Sequence, residues 1–485
     1  MARIRDLLKE IGRAQSAQSV EQRYISEIEM RSEEGVPKVQ LNNEDDEFFR
    51  SHILANLADT RNQIAAKSGA KTASNHRLIE ASDCILAFLR GLISQLKPEN
   101  QADILMQWVE FLKDRASIGV VTVPDEAGAF RMFETLNDRG LKASQADILK
   151  NYLLSKASKS HFSALHASWS EMSGVISTLP DNEDDNLVDF LRYYWISQNG
   201  LTRHRELAAS IKANIQSGQK AAAFVNSART ASNDFVALWQ PNHSKWNGYK
   251  PSTRKHLYTL SAHLKAEQIL PLLFAIASYL PPEEADKAFK LCVTWSVRFL
   301  IAGQGKAGRL DKPYSERAHE IGTGKIKTAR ALREAMKPIV PTDKEFLEAF
   351  ATARVSKAYL ARYYLRALDQ ELKAGEMPEY VANDDAAQIN LEHVIPLNPS
   401  ADWNIDKETA DACQRLLGNM VLLRSDRNAA VGNARFADKK PTFQQSAYLM
   451  TSEIADFHTF GLAQIKERQK KMAEIAVRTW STDFL

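Results

Sequence analysis

"INLEHVIPLNP", residues 389–399, sets Glu392 beside His393 at the end of a short β-prone run that Pro396 closes. Neighbouring residues in a strand point to opposite faces, so these two ionisable side chains cannot share one structural task. A second β-prone run, in "LGNMVLLRSDRNAAVGN" (417–433), passes directly into a helix. Two short strands and a helix, with Glu-His on the first strand and Asn428 in the helix, form a layout suited to phosphodiester hydrolysis. That reaction needs a base for water and a divalent cation to neutralise charge on the phosphorane and the leaving oxygen. Histidine suits the base because its pKa lies near neutrality. Carboxylate and amide oxygens suit Mg²⁺ or Mn²⁺, which are hard ions. His393 thus reads as the base, with Glu392 and Asn428 as the oxygen donors.

The rest of the chain sets the frame. Its 485 residues allow several domains, and 44% hydrophobic with 25% charged residues is the balance of an ordinary globular protein. Lys and Arg total 63 against 60 Asp and Glu, a balance that neither demands nor excludes nucleic acid. Cys84, Cys292 and Cys413 lie far apart, which argues against disulfides and a thiolate zinc site and suits a reducing cytoplasm. No apolar run is long enough to span a membrane, and "MARIRDLLKEIG" is an amphipathic helix pattern rather than a signal peptide.

Helical periodicity dominates. Ile4, Leu7, Leu8 and Ile11 form one stripe at the start of the chain, with no cap before it. The segment 117–155 predicts a strand at about 118–123, a helix carrying Phe130, Phe133 and Leu136, and another behind Ser144. From about 160 to 350 helix follows helix, with Tyr193, Tyr194 and Trp195 as core aromatics. The Gly- and Lys/Arg-rich stretch 303–330 reads as a solvated loop, with a nucleic-acid contact as the other reading.

"LEHVIPLN" followed by "GNMVLLRSDRNAAVGN" resembles the HNH (ββα-metal) nuclease motif. Its second half is similar to the HNH domain of CRISPR-associated nucleases, in which an Asp-His-Ile-Val-Pro strand precedes Asn-x-Val-Leu and a Ser-Asp-x-Asn helix start. The resemblance implies that His393 is the general base, Glu392 the first metal ligand and Asn428 the second. Asn419 matches the middle Asn that braces the loop between the strands. Glu392 stands where the motif has Asp, which lengthens its reach. Trp403, Gly418, Phe436, Lys439 and Ser446 fall where the C-terminal nuclease domain of GmrSD-type, modification-dependent (type IV) restriction enzymes has them. Lys439 and Lys440 are then expected on the phosphate backbone, or else on a solvated face.

"MFETLNDRGLKASQADILKNYL" (132–153) is similar to the same family's N-terminal ParB/sulfiredoxin-like, nucleotide-hydrolysing domain. The similarity implies that Asn137 and Arg139 face nucleotide phosphates, although "NDRG" is equally a helix C-terminal turn. Relatives carry a "DGQQR" loop ahead of this region, and the sequence has none. Its first residues resemble the helix that follows that loop. A start placed too late, a partner chain supplying the missing strands, or loss of the activity would each explain this, and the first two predict that the Ile4/Leu7/Leu8 stripe lacks its covering layer. Nucleotide hydrolysis is not expected of this chain alone.

The expectation is a mainly α, multi-domain protein: a partial ParB/sulfiredoxin-like α/β region over 1–158, a helical middle over 159–350, and an HNH nuclease domain embedded in helices over 351–485. Its expected work is Mg²⁺- or Mn²⁺-dependent nicking or cutting of DNA, modified DNA included, in cytoplasmic defence against foreign DNA. The rival expectation is a catalytically silent or partner-dependent DNA-binding regulatory subunit.

Overall fold

Helix α1, Ala2–Glu10, buries the face that its periodicity marks: Ile4, Leu7 and Leu8 are 3%, 1% and 0% exposed. They pack with Leu86 and Leu89 of α2 (Ala73–Ser94) and with Ala102, Leu105 and Val109 of α3 (Pro98–Arg115). The expected bare stripe is thus corrected, because helices well downstream cover it. Periodicity says that a face must be covered, not which segment covers it.

This computed structural model describes the chain except for residues 29–34, 42–44, 56–68, 71–72, 118, 120–144, 181–182, 304–309, 375–382, 384, 386, 400–402, 404 and 485. The chain is mainly α, with short strands, and divides into two compact units, Met1–Thr122 and Val123–Leu485. The strand expected near 118–123, the helix carrying Phe130, and the residues Asn137 and Arg139 lie outside the described residues. No helix among the described residues is long and apolar enough to cross a membrane.

In the first unit, β1 (Ser26–Ile28) and β2 (Gly35–Pro37) form an antiparallel pair with Glu27 opposite Val36. Arg3, Arg5 and Asp6 are buried beside the apolar face of α1. Buried charge is tolerated when it is paired, and here it is. Asp6 Oδ1 accepts from Arg5 Nη2 at 2.6 Å, while Arg5 Nη1 donates to Glu21 Oε2 at 2.5 Å. Arg3 Nη2 donates to the carbonyls of Ile53 and Ala55.

In the second unit one hydrophobic core runs from Ala146 to Trp480. Leu270–Tyr279 is apolar on nearly every side and sits inside this core, as its sequence predicts. Tyr193, Tyr194 and Trp195 are core residues, and the Trp195 indole donates to Ser210 Oγ at 3.0 Å. The stretch read as a loop over 303–330 instead contains the helix Asp311–Gly322. Tyr314, Ala318 and Ile321 recur at helical spacing and are buried, a stripe that the flanking Gly and Lys residues obscure.

A second, smaller core gathers Val394, Ile395, Val421, Leu423, Val431, Phe436, Phe443 and Ile465 near the C-terminus. Between the two cores lies an antiparallel ribbon of β3 (Ile389–His393) and β4 (Met420–Arg424).

Burial would raise the Glu21 carboxyl, but hydrogen bonds from Arg5 and Ser26 and the Arg5 charge hold it below its usual value. A carboxylate so held stabilises the fold above its unfolded pKa and ceases to do so as pH falls through its folded pKa. Glu21→Gln should therefore weaken amide protection of α1 near pH 7, and the gap to wild type should close below about pH 4. Hydrogen exchange read by mass spectrometry checks this; a gap of undiminished size in acid would assign the effect to something other than the carboxylate.

Candidate active site

Ribbon register sorts the site. Leu391 pairs with Leu422 and His393 with Met420, while Asn390 pairs with Leu423 and Glu392 with Val421. Leu391, Leu422 and Met420 pack on the larger core, and Val421 and Leu423 belong to the smaller one. Strand alternation therefore turns His393 toward the larger core's side and Glu392 toward the smaller core's side. On Glu392's side lie α6 (Ser425–Val431), which follows β4 without a break, and α7 (Phe436–Gln444). Helix α5 (Ala358–Lys373) packs on both strands and shares the larger core with Leu391 and Met420.

The Glu392 carboxylate is met by a buried ammonium. Lys439, on α7, has no exposed surface, and its Nζ donates to Glu392 Oε1 at 2.6 Å and to the His393 carbonyl at 3.2 Å. The expected contact of Lys439 with phosphate is corrected on this point: the ammonium is spent inside the fold. Lys440 is the half-exposed neighbour on the same helix. Burial raises the Glu392 carboxyl from its ordinary value, partly offset by the hydrogen bond and charge of Lys439. Burial also lowers the His393 imidazole, opposed by a hydrogen bond to the Gln414 backbone and reinforced by the Lys439 charge.

The strand end is held by Asn419, which is fully buried. Its carbonyl accepts from Val394 N–H at 2.9 Å, its Oδ1 accepts from Ile395 N–H at 2.8 Å, and its Nδ2 donates to the Ile395 carbonyl at 3.1 Å. The backbone that leaves His393 is thus gripped on both edges. The turn carrying Asn419 is in turn pinned by α8 (Leu462–Thr479). Arg468 Nη1 donates to the carbonyls of Gly418 at 2.8 Å and Met420 at 2.9 Å, and Nη2 to that of Met450 at 2.7 Å. Gln469 Oε1 accepts from Gly418 N–H at 3.0 Å. Burial lowers the Arg468 guanidinium to about 10, still a cation at neutral pH. Gly418 permits this approach: a Cβ there would lie 2.2 Å from the Ile465 carbonyl oxygen.

Arg468 and Gln469 escape motif-based reading, but the sequence carries a signal for them. They occupy positions on the apolar stripe of α8 between Ile465 and Met472, where a polar residue needs a buried partner.

Asn428 sits on α6, half-exposed, and no hydrogen bond engages its side-chain amide among the described residues. Glu392 and Asn428 offer only oxygen, with the Lys439 ammonium on one carboxylate oxygen. That donor set fits a hard divalent cation completed by water and substrate, and not a soft one. Among the described residues no cluster of three or more His, Cys, Asp or Glu forms a ready-made metal cage.

Residues 340–475 match the model of a family described as GmrSD restriction endonucleases, C-terminal domain. This stretch, which holds the ribbon, α6, α7 and most of α8, is a GmrSD-type C-terminal domain. No curated protein matches the chain.

Truncating Asn419 to Ala would leave the buried N–H and carbonyl of Ile395 without partners, a loss of about 2–4 kcal/mol. Urea unfolding followed by circular dichroism should show it as a lower midpoint. A midpoint within error of wild type would mean that the brace is dispensable.

Proposed function

We propose that the GmrSD-type C-terminal domain is a divalent-cation-dependent nuclease of the HNH type that nicks or cuts DNA within a restriction system. The observation that supports this most directly is the braced strand end, where Glu392 and His393 leave opposite faces of the ribbon beside a helix that presents Asn428. From the two faces, both side chains reach a phosphodiester laid across the ribbon end. His393 takes a proton from the attacking water. Glu392 and Asn428 would hold Mg²⁺ or Mn²⁺, which would offset the charge that develops on the phosphorane and the leaving oxygen. Lys439 fixes one Glu392 oxygen and so orients the other, the task of a residue behind a metal ligand. Asn419 keeps His393 at the bend. DNA, modified DNA among it, is the proposed substrate.

His393→Ala should abolish metal-dependent nicking of supercoiled plasmid while leaving the thermal unfolding curve in place. Nicking that survives the substitution would remove His393 from the chemistry and the HNH assignment with it.

The rival reading, a silent DNA-binding subunit, draws on the same ion pair: a carboxylate already neutralised by a buried ammonium needs no metal. Lys439→Met separates the two. If Lys439 orients Glu392 for metal, Mn²⁺ affinity measured by calorimetry falls about 10- to 100-fold and nicking falls with it. If Lys439 replaces the metal, wild type binds no Mn²⁺ and does not nick, and the variant gains a binding site.

A further inference from the structure

Helix α4 (Pro251–Tyr258) does not end where its α-geometry ends: it continues as a π-helical turn, Thr259–Leu264, and stops at Lys265. Lys265 has φ 49°, the left-handed region, and is the one non-glycine residue with positive φ among the described residues. L-residues rarely adopt that conformation, and π-turns concentrate at functional sites. The turn lifts an exposed lysine and a ring onto the surface of α5. Lys265 Nζ lies 5.1 Å from the centre of the Tyr359 ring, and Lys357 Nζ lies 5.8 Å from the same ring. His263 stacks on Tyr363 at 5.5 Å, meets Tyr258 edge-on at 5.0 Å, and is 2.8 Å from Arg366 Nη2. Lys255, on α4, reaches Gln370 of α5 at 3.5 Å.

Positions 359, 362, 363 and 366 recur at helical spacing, so one face of α5 carries Tyr359, Arg362, Tyr363 and Arg366. Two acids beside this surface are buried: Asp286 accepts from Ser252 Oγ at 2.6 Å and Thr253 Oγ1 at 2.8 Å of α4, and Asp369 Oδ1 accepts from Met450 N–H at 3.0 Å. Lysines and arginines interleaved with aromatic rings line this face, the composition that holds a phosphate backbone.

The surface is continuous with the candidate active site. On α5, Lys373 Nζ donates to the Ala447 carbonyl and Asp369 Oδ1 accepts from Met450 N–H, so the segment that follows α7 is bonded to that helix. In that segment the Gln445 carbonyl accepts from Arg427 Nη1 at 2.9 Å, and Arg427 precedes Asn428 on α6. Helix α5 also packs on both strands of the ribbon.

We infer that the face built by Lys255, Lys265, Lys357, Arg362 and Arg366, with Tyr258 and Tyr359 between them, is a binding track for the DNA backbone that leads to the ribbon end. The inference deepens the nuclease reading and rests on it for the choice of DNA as occupant. The track supplies affinity and register, not base recognition.

The test is DNA binding by fluorescence anisotropy across a range of KCl, with the full chain carrying His393→Ala so that cleavage does not intervene. Removing the exposed lysines together, as Lys255→Gln, Lys265→Gln and Lys357→Gln, should make the slope of log K against log salt shallower by about 2–3, since each phosphate contact contributes about 0.9. A second variant, Arg362→Gln with Arg366→Gln, should make it shallower by about 2 on the same arithmetic. Lys327→Gln, Lys337→Gln and Lys344→Gln, exposed lysines elsewhere in the unit, should leave the slope unchanged. An unchanged slope in both track variants, or an equal drop in the control, overturns the track. Nicking by the unsubstituted chain is measured beside it. A chain that nicks but whose track variants keep the wild-type slope loses the track alone, whereas one that never nicks but binds through these residues loses the nuclease reading alone.

Discussion

The candidate site depends on the grip of Asn419 on Ile395. A two-stranded ribbon is marginal by itself, and its end is where pairing stops. At that end β3 must release His393, bend at Val394 and Ile395, and run on through Pro396 without fraying. Backbone groups there are buried and have no strand to pair with, so a side chain has to satisfy them. An amide does this as no other side chain does, since it accepts from the Ile395 N–H and donates to the Ile395 carbonyl at once. Aspartate would lose the donor and leucine would lose both.

That grip is only as firm as the turn that holds Asn419. The turn is pinned from behind by Arg468 and Gln469, whose hydrogen bonds go almost wholly to backbone. A buried guanidinium bonded to several carbonyls replaces the water that those carbonyls would otherwise keep. The helix approaches so closely that position 418 must be glycine. The chain of dependence therefore runs from the last helix to the turn, to the Asn419 amide, and then to the strand end. Lys439 adds a second, independent hold, tying Glu392 Oε1 and the His393 carbonyl with one ammonium.

Much of this is legible in sequence and some is not, for physical reasons. The strands, the helix behind them and the place of Asn419 follow from short-range pattern and from the motif's resemblance. The burial of Lys439 is not legible, because lysine belongs at the surface unless a partner waits inside, and its partner lies 47 positions away in sequence. Likewise the apolar face of α1 is plain in its spacing, but the residues that cover it come from helices near residues 86 and 105. The helix Asp311–Gly322 is hidden by composition, since glycines and lysines at its ends outweigh a short buried stripe. Pattern reports what a segment needs, and tertiary packing decides which distant segment provides it.

The ribbon's position between two cores gives its two faces different backing. His393's neighbours, Leu391 and Met420, are continuous with the core that extends back through the helices to Ala146. Glu392's neighbours, Val421 and Leu423, belong to the small core closed by α6, α7 and α8. Close packing in the large core gives the His393 face a rigid backing. On the other face Glu392 is tied to the buried Lys439, and Asn428 sits on a short helix that follows β4 directly. The same division bears on the proposed track over the basic face of α5. Helix α5 belongs to the large core and lies against both strands, so the proposed track would be fixed relative to His393.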